Sequence, residues 1–341
     1  MSEWSVDRLE ASSGPFRLGP VHLTIGSRES VAVLGRSGAG KTTLLRALAG
    51  FLPLASGSIR RDSEPVADWA PERRGAVFVP QGLGLFPHRS VERNVAFPIE
   101  VQGADPAESV DPLLERFGLR DLAGRRPASL SSGEQQRVAL ARSIAARPRL
   151  LLWDEPLGAL DLLTRDELLR GLREVRSRDA VPLVFVTHDP TLAYSLADRW
   201  LIMDRGRVLY LGRPGPLLAR PIDRFVARFV GYENVYDPET LRAAADSPLA
   251  ATLRAQSGPE GIALPTPLAR RGRPGPGEFP LDAERLEPTP DGLRVDGRSQ
   301  GLPVRALLRS GVSDSALDLE PMAFSLSGAR VAPIGGGEVT G

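Results

Sequence analysis

The sequence has no cysteine, which excludes a disulfide framework and thiolate metal sites and is compatible with a reducing cytoplasm. No apolar stretch approaches the roughly 18–20 residues needed to span a bilayer. Met1 to Glu10 lack the basic-then-apolar pattern of a secretory signal, so the chain is expected to be soluble by itself. Surplus charge is missing as well. With 43 Lys+Arg against 42 Asp+Glu and a net charge of +1, nothing argues for a nucleic-acid partner. The most informative scarcity is lysine, because Lys41 is the sole lysine and the remaining basic set is arginine. Arginine replaces lysine readily on a solvated surface, but a compact ammonium on a flexible stem fits between crowded phosphates where a planar guanidinium does not. A composition that keeps lysine only there points to chemistry at Lys41.

What is present reads as globular. The 341 residues exceed the usual single-domain size of about 100–200, so one large domain and a smaller one are expected. Hydrophobic residues at 42% and charged residues at 25% allow a sizeable core. Val21, Leu23 and Ile25 alternate as a strand, and the apolar run Val31 to Leu34 reads as a second strand buried on both faces. Short apolar runs at Val77 to Val79, Leu150 to Trp153 and Leu183 to Val186 read as parallel strands between helical stretches such as Glu134 to Ala146 and Arg165 to Arg176. The pattern is α/β, a sheet covered by helices. Trp200 to Met203 and Val208 to Leu211 flank Asp204, Arg205 and Gly206 as a hairpin that closes the first domain. Ile222, Phe225, Val226 and Phe229 then mark a short helix with one apolar face. From about Ser257 to Pro303, glycine and proline recur around short alternating segments such as Gly292 to Val295 and Val304 to Leu308. A small all-β domain fits this better than a helical one. A partly disordered tail is the alternative, and Gly335 to Gly341 reads as loose in either case.

Gly35-Arg36-Ser37-Gly38-Ala39-Gly40-Lys41-Thr42 is a complete phosphate loop between a buried strand and a helix. Its glycines let the backbone curl so that N–H groups face phosphates, and the helix start adds positive potential. Lys41 suits β- and γ-phosphate oxygens, Thr42 offers a hydroxyl to Mg²⁺, and Thr43 completes the binding segment. Leu150 to Trp153 deliver Asp154 and Glu155 to the end of a strand, where ligands of parallel sheets bind. Asp154 is placed to hold Mg²⁺, and Glu155 to polarise the attacking water. A strand ending in a solvated acidic turn is common; it is the phosphate loop that makes the pair functional.

Leu130-Ser131-Ser132-Gly133-Glu134-Gln135-Gln136 discriminates among phosphate-loop enzymes. Ser131 and Glu134 have capping-box spacing, so the segment opens a helix whose positive end is available to an anion. With its neighbours it resembles the signature of ATP-binding-cassette (ABC) ATPases, with Ser132 where glycine is commoner. The resemblance implies a phosphate-loop NTPase core of the ABC type: a mixed sheet with flanking helices and an inserted helical subdomain near residues 85–150. The ATP-binding domain would cover residues 1–230, followed by an accessory domain over 231–341. It implies that Ser131, Ser132, Gly133 and Glu134 reach the nucleotide of an opposite subunit, in a homodimer or with a paired ABC subunit. Gln81 resembles the glutamine that joins nucleotide and metal to the membrane partner. Leu157-Gly158-Ala159-Leu160-Asp161 resembles the loop at the dimer seam, with Asp161 facing it, and His188 the switch histidine at the γ-phosphate.

Adenine needs a flat partner to stack on. Phe16 is the candidate, and His22 and Trp4 are poorer ones. Leu85-Phe86-Pro87-His88 with Val91 and Asn94-Val95-Ala96-Phe97 resembles importers of sugars, oxyanions, iron and polyamines, in which this region grips a permease helix. Phe229-Val230-Gly231-Tyr232-Glu233-Asn234-Val235 resembles the junction before a small TOBE-type β-barrel, and it gives a faint preference for molybdate or sulfate over iron, polyamine or thiamine. The implied partners are transmembrane permease subunits and, indirectly, a substrate-binding protein, with the chain peripheral on the cytoplasmic face of the membrane. A soluble cassette acting on nucleic acid or ribosomes would be expected to carry a coiled-coil insertion, zinc-binding cysteines or a second cassette. An exporter would often carry fused membrane helices. A module that had lost hydrolysis would show damage at Lys41, Asp154, Glu155 or His188, and all four are intact.

Overall fold

The computed structural model describes residues 3–156, 162–244, 247–259, 261–264, 268–271, 278–289, 292–309, 322–326 and 332–334. The chain divides into two compact units after Arg213.

The first unit opens with an antiparallel pair, β1 (Trp4–Ser13) and β2 (Phe16–Ile25). Trp4, Val6, Leu9 and Ala11 from one strand and Leu18, Val21, Leu23 and Ile25 from the other are buried. The register shifts between Val6 and Leu9, a bulge that returns Leu9 to the core face although it is an odd number of residues from Val6. β3 (Ser30–Gly35) is buried at every position, as a central parallel strand requires. It feeds α1 (Lys41–Ala49), which Gly50 ends in the left-handed conformation. β4 (Leu54–Arg61) and β5 (Glu64–Pro65) follow, then α2 (Pro71–Arg74) and β6 (Ala76–Val79). From α2, the buried Arg74 guanidinium donates to Ala47 O at 2.8 Å and Leu48 O at 3.3 Å, satisfying carbonyls at the negative end of α1 with a cation.

The helical insertion contains α3 (Val91–Val101), α4 (Ala107–Arg116) and α5 (Ser132–Ala145). The chain then returns to the sheet through β7 (Leu150–Asp154), α6 (Leu162–Asp179), β8 (Leu183–Val186), α7 (Pro190–Leu196), β9 (Arg199–Asp204) and β10 (Arg207–Gly212). A six-stranded sheet has the order β10-β9-β3-β8-β7-β6. All its pairings are parallel except β10 with β9, so it is mixed. The second sheet has the order β2-β1-β4-β5. Leu44, Leu45 and Leu48 of α1 share one core with Val31, Leu152 and Val184 of the first sheet and Trp4, Leu9 and Val21 of the second. Burial on both sides fixes α1, and therefore its N-terminus, at the C-terminal edge of the parallel strands.

The second unit begins with α8 (Pro214–Ala219) and α9 (Arg224–Phe229), then β11 (Asn234–Tyr236), α10 (Pro238–Ala243) and α11 (Pro248–Ala255). β12 (Gly261–Leu264), β13 (Leu268–Arg271), β14 (Glu278–Thr289), β15 (Gly292–Ser299), β16 (Leu302–Arg309), β17 (Met322–Ser325) and β18 (Ala332–Ile334) complete it. β11, β12 and β18 form a three-stranded sheet, and β13-β16-β15-β14-β17 closes as a barrel. The β structure expected after Ser257 is there, accompanied by short helices whose Leu241, Leu249 and Leu253 enter its core with Val295, Val304 and Phe324. Closure removes the unpaired edges that five short strands would otherwise expose. The segments Leu157–Asp161 and Gly335–Gly341 lie outside the described residues.

Candidate active site

The phosphate loop leaves β3 at Gly35, with φ +147, where a Cβ would stand 2.2 Å from Met203 O. Ala39 N–H closes the turn on Arg36 O at 3.1 Å, across Ser37 and Gly38. Gly40 is the N-cap of α1 at φ +100 and supplies no side-chain cap, so no N-cap side chain occupies the first N–H groups of α1. A Cβ on Gly40 would meet the Phe16 ring at 2.7 Å. Glycine is needed there for two reasons, backbone angle and the approach of Phe16. The ring lines a cavity of about 210 Å³ with Gly38, Gly40, Lys41, Thr42 and Thr43, which puts Phe16 at the lip of the loop. Trp4 and His22 are elsewhere: Trp4 is wholly buried and donates to Arg149 O at 3.2 Å, and His22 Nδ1 pairs with Asp7 at 2.9 Å.

The Lys41 ammonium donates to Gly35 O and Arg36 O, each at 2.9 Å. Burial pushes its pKa down, against the opposing pull of the Glu155 and Asp154 carboxylates. Thr42 Oγ1 donates to Asp154 Oδ2 at 2.8 Å, joining the start of α1 to the end of β7. Burial pushes the Asp154 carboxyl up, and the Thr42 hydrogen bond opposes it. A cation would reverse that burial penalty. The donor set fits Mg²⁺, since the adjoining Thr42 hydroxyl and Asp154 carboxylate are both hard oxygen ligands. Among the described residues no group of three or more His, Cys, Asp or Glu could hold a metal alone. Its remaining ligands would therefore be phosphate oxygens and water, the habit of Mg²⁺ in nucleotide sites.

Glu155 follows at φ +54, a left-handed angle that costs a non-glycine residue on the order of 1 kcal/mol and persists where the surroundings enforce it. They do so here. Its N–H donates to Val186 O at 3.1 Å, and its carboxylate accepts from Gln81 Nε2 at 3.1 Å and lies 3.5 Å from His188 Nδ1. Gln81 comes from the turn after β6, and His188 from the turn after β8. That turn is fixed by Asp189, whose N–H donates to Thr187 Oγ1 at 3.0 Å and whose side chain caps α7 through Thr191 and Leu192. The His188 side chain is 71% exposed, so it is reachable from outside the subunit.

The capping box at α5 is complete, with Glu134 N–H donating to Ser131 Oγ at 3.3 Å and Ser131 N–H to Glu134 Oε2 at 2.7 Å. The second bond holds the Glu134 carboxyl below its ordinary pKa. Ser131 and Ser132 are exposed, and Gly133 is buried. None of Ser131, Ser132, Gly133 and Glu134 lines the cavity at Lys41. Thr42 bonds Asp154, and Gln81 and His188 meet on the adjacent Glu155, with Phe16 beside the phosphate loop, whereas Ser131 and Glu134 at the start of α5 bond each other. Asp161 lies outside the described residues. Two residues have a holding role that the sequence does not mark. Asn94 is wholly buried and bonds Phe86 N and O, Arg89 O and Ser90 O, which fixes the segment after Gln81. Arg142 grips that segment from α5. An arginine near a helix end reads as solvated, and no local pattern marks it otherwise.

Comparison with known proteins identifies the family. The family described as ABC transporter matches residues 18–158. The chain is 43% identical over 247 residues to the "Fe(3+) ions import ATP-binding protein FbpC" of Streptomyces avermitilis, covering 72% of each chain. It is 46% identical over 217 residues to the "Spermidine/putrescine import ATP-binding protein PotA" of Pseudomonas fluorescens, covering 63% of this chain and 60% of the relative. Among solved structures, the dimeric post-hydrolysis ATP-binding cassette MJ0796 bound to ADP and Pi matches with a TM-score of 0.56 at 28% identity, over 62% of this chain and 98% of that one. A nucleotide-free cassette from an ABC transporter shares the fold, with a TM-score of 0.58 at 20% identity, over 65% of this chain and 96% of that one. The chain belongs to the ABC transporter family, as one of its ATP-binding, ATP-hydrolysing subunits.

Proposed function

We propose that two cassettes pair head to tail, that each ATP is held between the phosphate loop of one and the α5 start of the other, and that the cycle drives import through a separate permease. The observation that carries this reading is the meeting of Gln81 and His188 on the Glu155 carboxylate, beside a phosphate loop whose own chain leaves the capped start of α5 outside the cavity. Lys41 and the N–H groups at the start of α1 bind phosphate oxygens, and Phe16 stacks on adenine. Thr42 and Asp154, with Gln81, would hold Mg²⁺, which would neutralise phosphate charge. Glu155 accepts hydrogen-bonding from the attacking water and aligns it, while His188 contacts the γ-phosphate. Ser131, Ser132, Gly133 and Glu134 present the positive end of α5 to the phosphate across the interface, and Asp161 faces the seam. MJ0796 was solved as a dimer, which supports the pairing.

Among the described residues no helix is long and apolar enough to cross a membrane. The chain would act at the cytoplasmic face as a peripheral subunit, gripping a permease that a substrate-binding protein supplies. The second unit would serve as a TOBE-like accessory domain. Relatives named for iron and for polyamine import match to a similar extent, as expected if solute choice resides in permease and receptor. Uptake of labelled ferric ion, spermidine, molybdate, sulfate and a sugar is measured in cells lacking the chain, then supplied with wild type or Glu155→Gln. Uptake of one solute should fall and return with wild type alone; uptake of all five unaltered by the deletion would contradict the import reading.

A further inference from the structure

The turn after Gln81 is held from a distance by α5. Arg142, in the last turn of that helix, donates to Leu83 O and to Gly84 O, both at 2.7 Å. Its guanidinium also lies 5.5 Å from the Phe86 ring centroid. Burial disfavours the charge on Arg142, and the two carbonyl bonds compensate it. The turn is tight, with Leu83 N–H on Pro80 O at 2.8 Å and φ +59 at both Leu83 and Gly84. For Leu83 that angle is unfavourable, so the carbonyl positions depend on what grips them. Phe86 is pinned separately by Asn94, through bonds of 2.9 and 3.1 Å. Freedom in the segment is therefore confined to the few residues between β6 and Phe86, and Arg142 holds the middle of them.

Both ends of this connection are functional. Near the turn, Gln81 donates to Glu155 at 3.1 Å. At the far end, the Ser131 capping box lies 11 residues before Arg142, about 16 Å away along a stiff helix. We propose that Arg142 is a positioning residue that couples the start of α5 to the Gln81–Glu155 contact, so that nucleotide met by α5 across the paired interface sets Gln81 for hydrolysis in the same chain. Arg142 touches no reacting atom in this scheme. The coupling half rests on the head-to-tail reading; the positioning half needs only one chain. In a pair of identical chains the same route runs both ways, so ATP at each site prepares the other, and turnover is cooperative in ATP.

The test compares the full chain with Arg142→Gln and Arg142→Lys. Glutamine cannot reproduce the fork that spans two carbonyls, and lysine offers one compact donor group. Arg142→Gln should lower kcat by about 10- to 100-fold through displacement of Gln81, while KM for ATP stays within about threefold because no nucleotide contact is removed. The Hill coefficient should fall to about 1, and Arg142→Lys should recover part of kcat. A folded Arg142→Gln with wild-type kcat would overturn the positioning half. Equal losses of ATP binding and kcat that track a lowered melting temperature would overturn it too, in favour of a merely structural role. Wild-type turnover with no cooperativity in ATP would overturn the coupling half alone and would count against the paired reading, while the kcat of Arg142→Gln still decides the positioning half.

Discussion

Replacing Glu155 with glutamine lowers ATP turnover by about 10²- to 10⁴-fold, the usual contribution of a positioned general base, while ATP still binds. The substitution keeps shape and one carbonyl oxygen but removes the charge that polarises water. The geometry supports the selectivity of this effect. Glu155 makes no bond to Lys41 or Thr42, whose partners are Gly35, Arg36 and Asp154, so the phosphate-holding groups keep their contacts. Its φ of +54 and its N–H bond to Val186 O are backbone features that glutamine inherits. Phosphate release and nucleotide retention measured on the same preparation check the split. Turnover close to wild type would remove Glu155 from the water-polarising role.

Lys41→Arg is expected to be nearly as damaging as Lys41→Ala, although it keeps the charge. The ammonium sits inside the curve of the loop, 2.9 Å from each of two carbonyls, on a residue that is itself buried. A guanidinium is wider and planar, and it cannot turn three donors toward both loop carbonyls and phosphate. Turnover should fall by about 10²- to 10³-fold, the scale seen when a preorganised donor is removed from developing charge, and ATP affinity should fall with it because the same group binds ground-state phosphate. Steady-state kinetics and equilibrium nucleotide binding on the wild-type, Lys41→Arg and Lys41→Ala proteins decide it. If Lys41→Arg retained near-native turnover, the shape argument that singled out the only lysine would fail.

Much of the site is legible in the sequence because its signals are local. The phosphate loop needs consecutive residues, the capping box needs two residues three apart, and β3, β7 and β8 are apolar runs of a length that suits strands buried in a parallel sheet. What escapes depends on tertiary context. β1 is hidden because its bulge breaks the period-two pattern between Val6 and Leu9, so strict alternation does not reveal it. The gripping role of Arg142 arises 58 and 59 residues from its acceptors. Trp4, in the sequence a poorer candidate for adenine, is completely buried. Asn234, a family landmark in the sequence, has a structural use: its amide donates to Arg305 O at 3.0 Å and accepts from Arg305 N at 2.7 Å, imitating a strand partner for β16. The left-handed angle at Glu155 has no sequence signal at all, because nothing about glutamate favours it.

The claim on which the account depends is that two copies complete each site. Sedimentation of Glu155→Gln with MgATP and with MgADP tests it most directly, since a variant that binds ATP without hydrolysing it should accumulate in the paired state. The account predicts a dimer with ATP, a monomer with ADP, and loss of the ATP-dependent dimer when Ser131→Arg is added. A Glu155→Gln protein that is saturated with ATP and stays monomeric would contradict it.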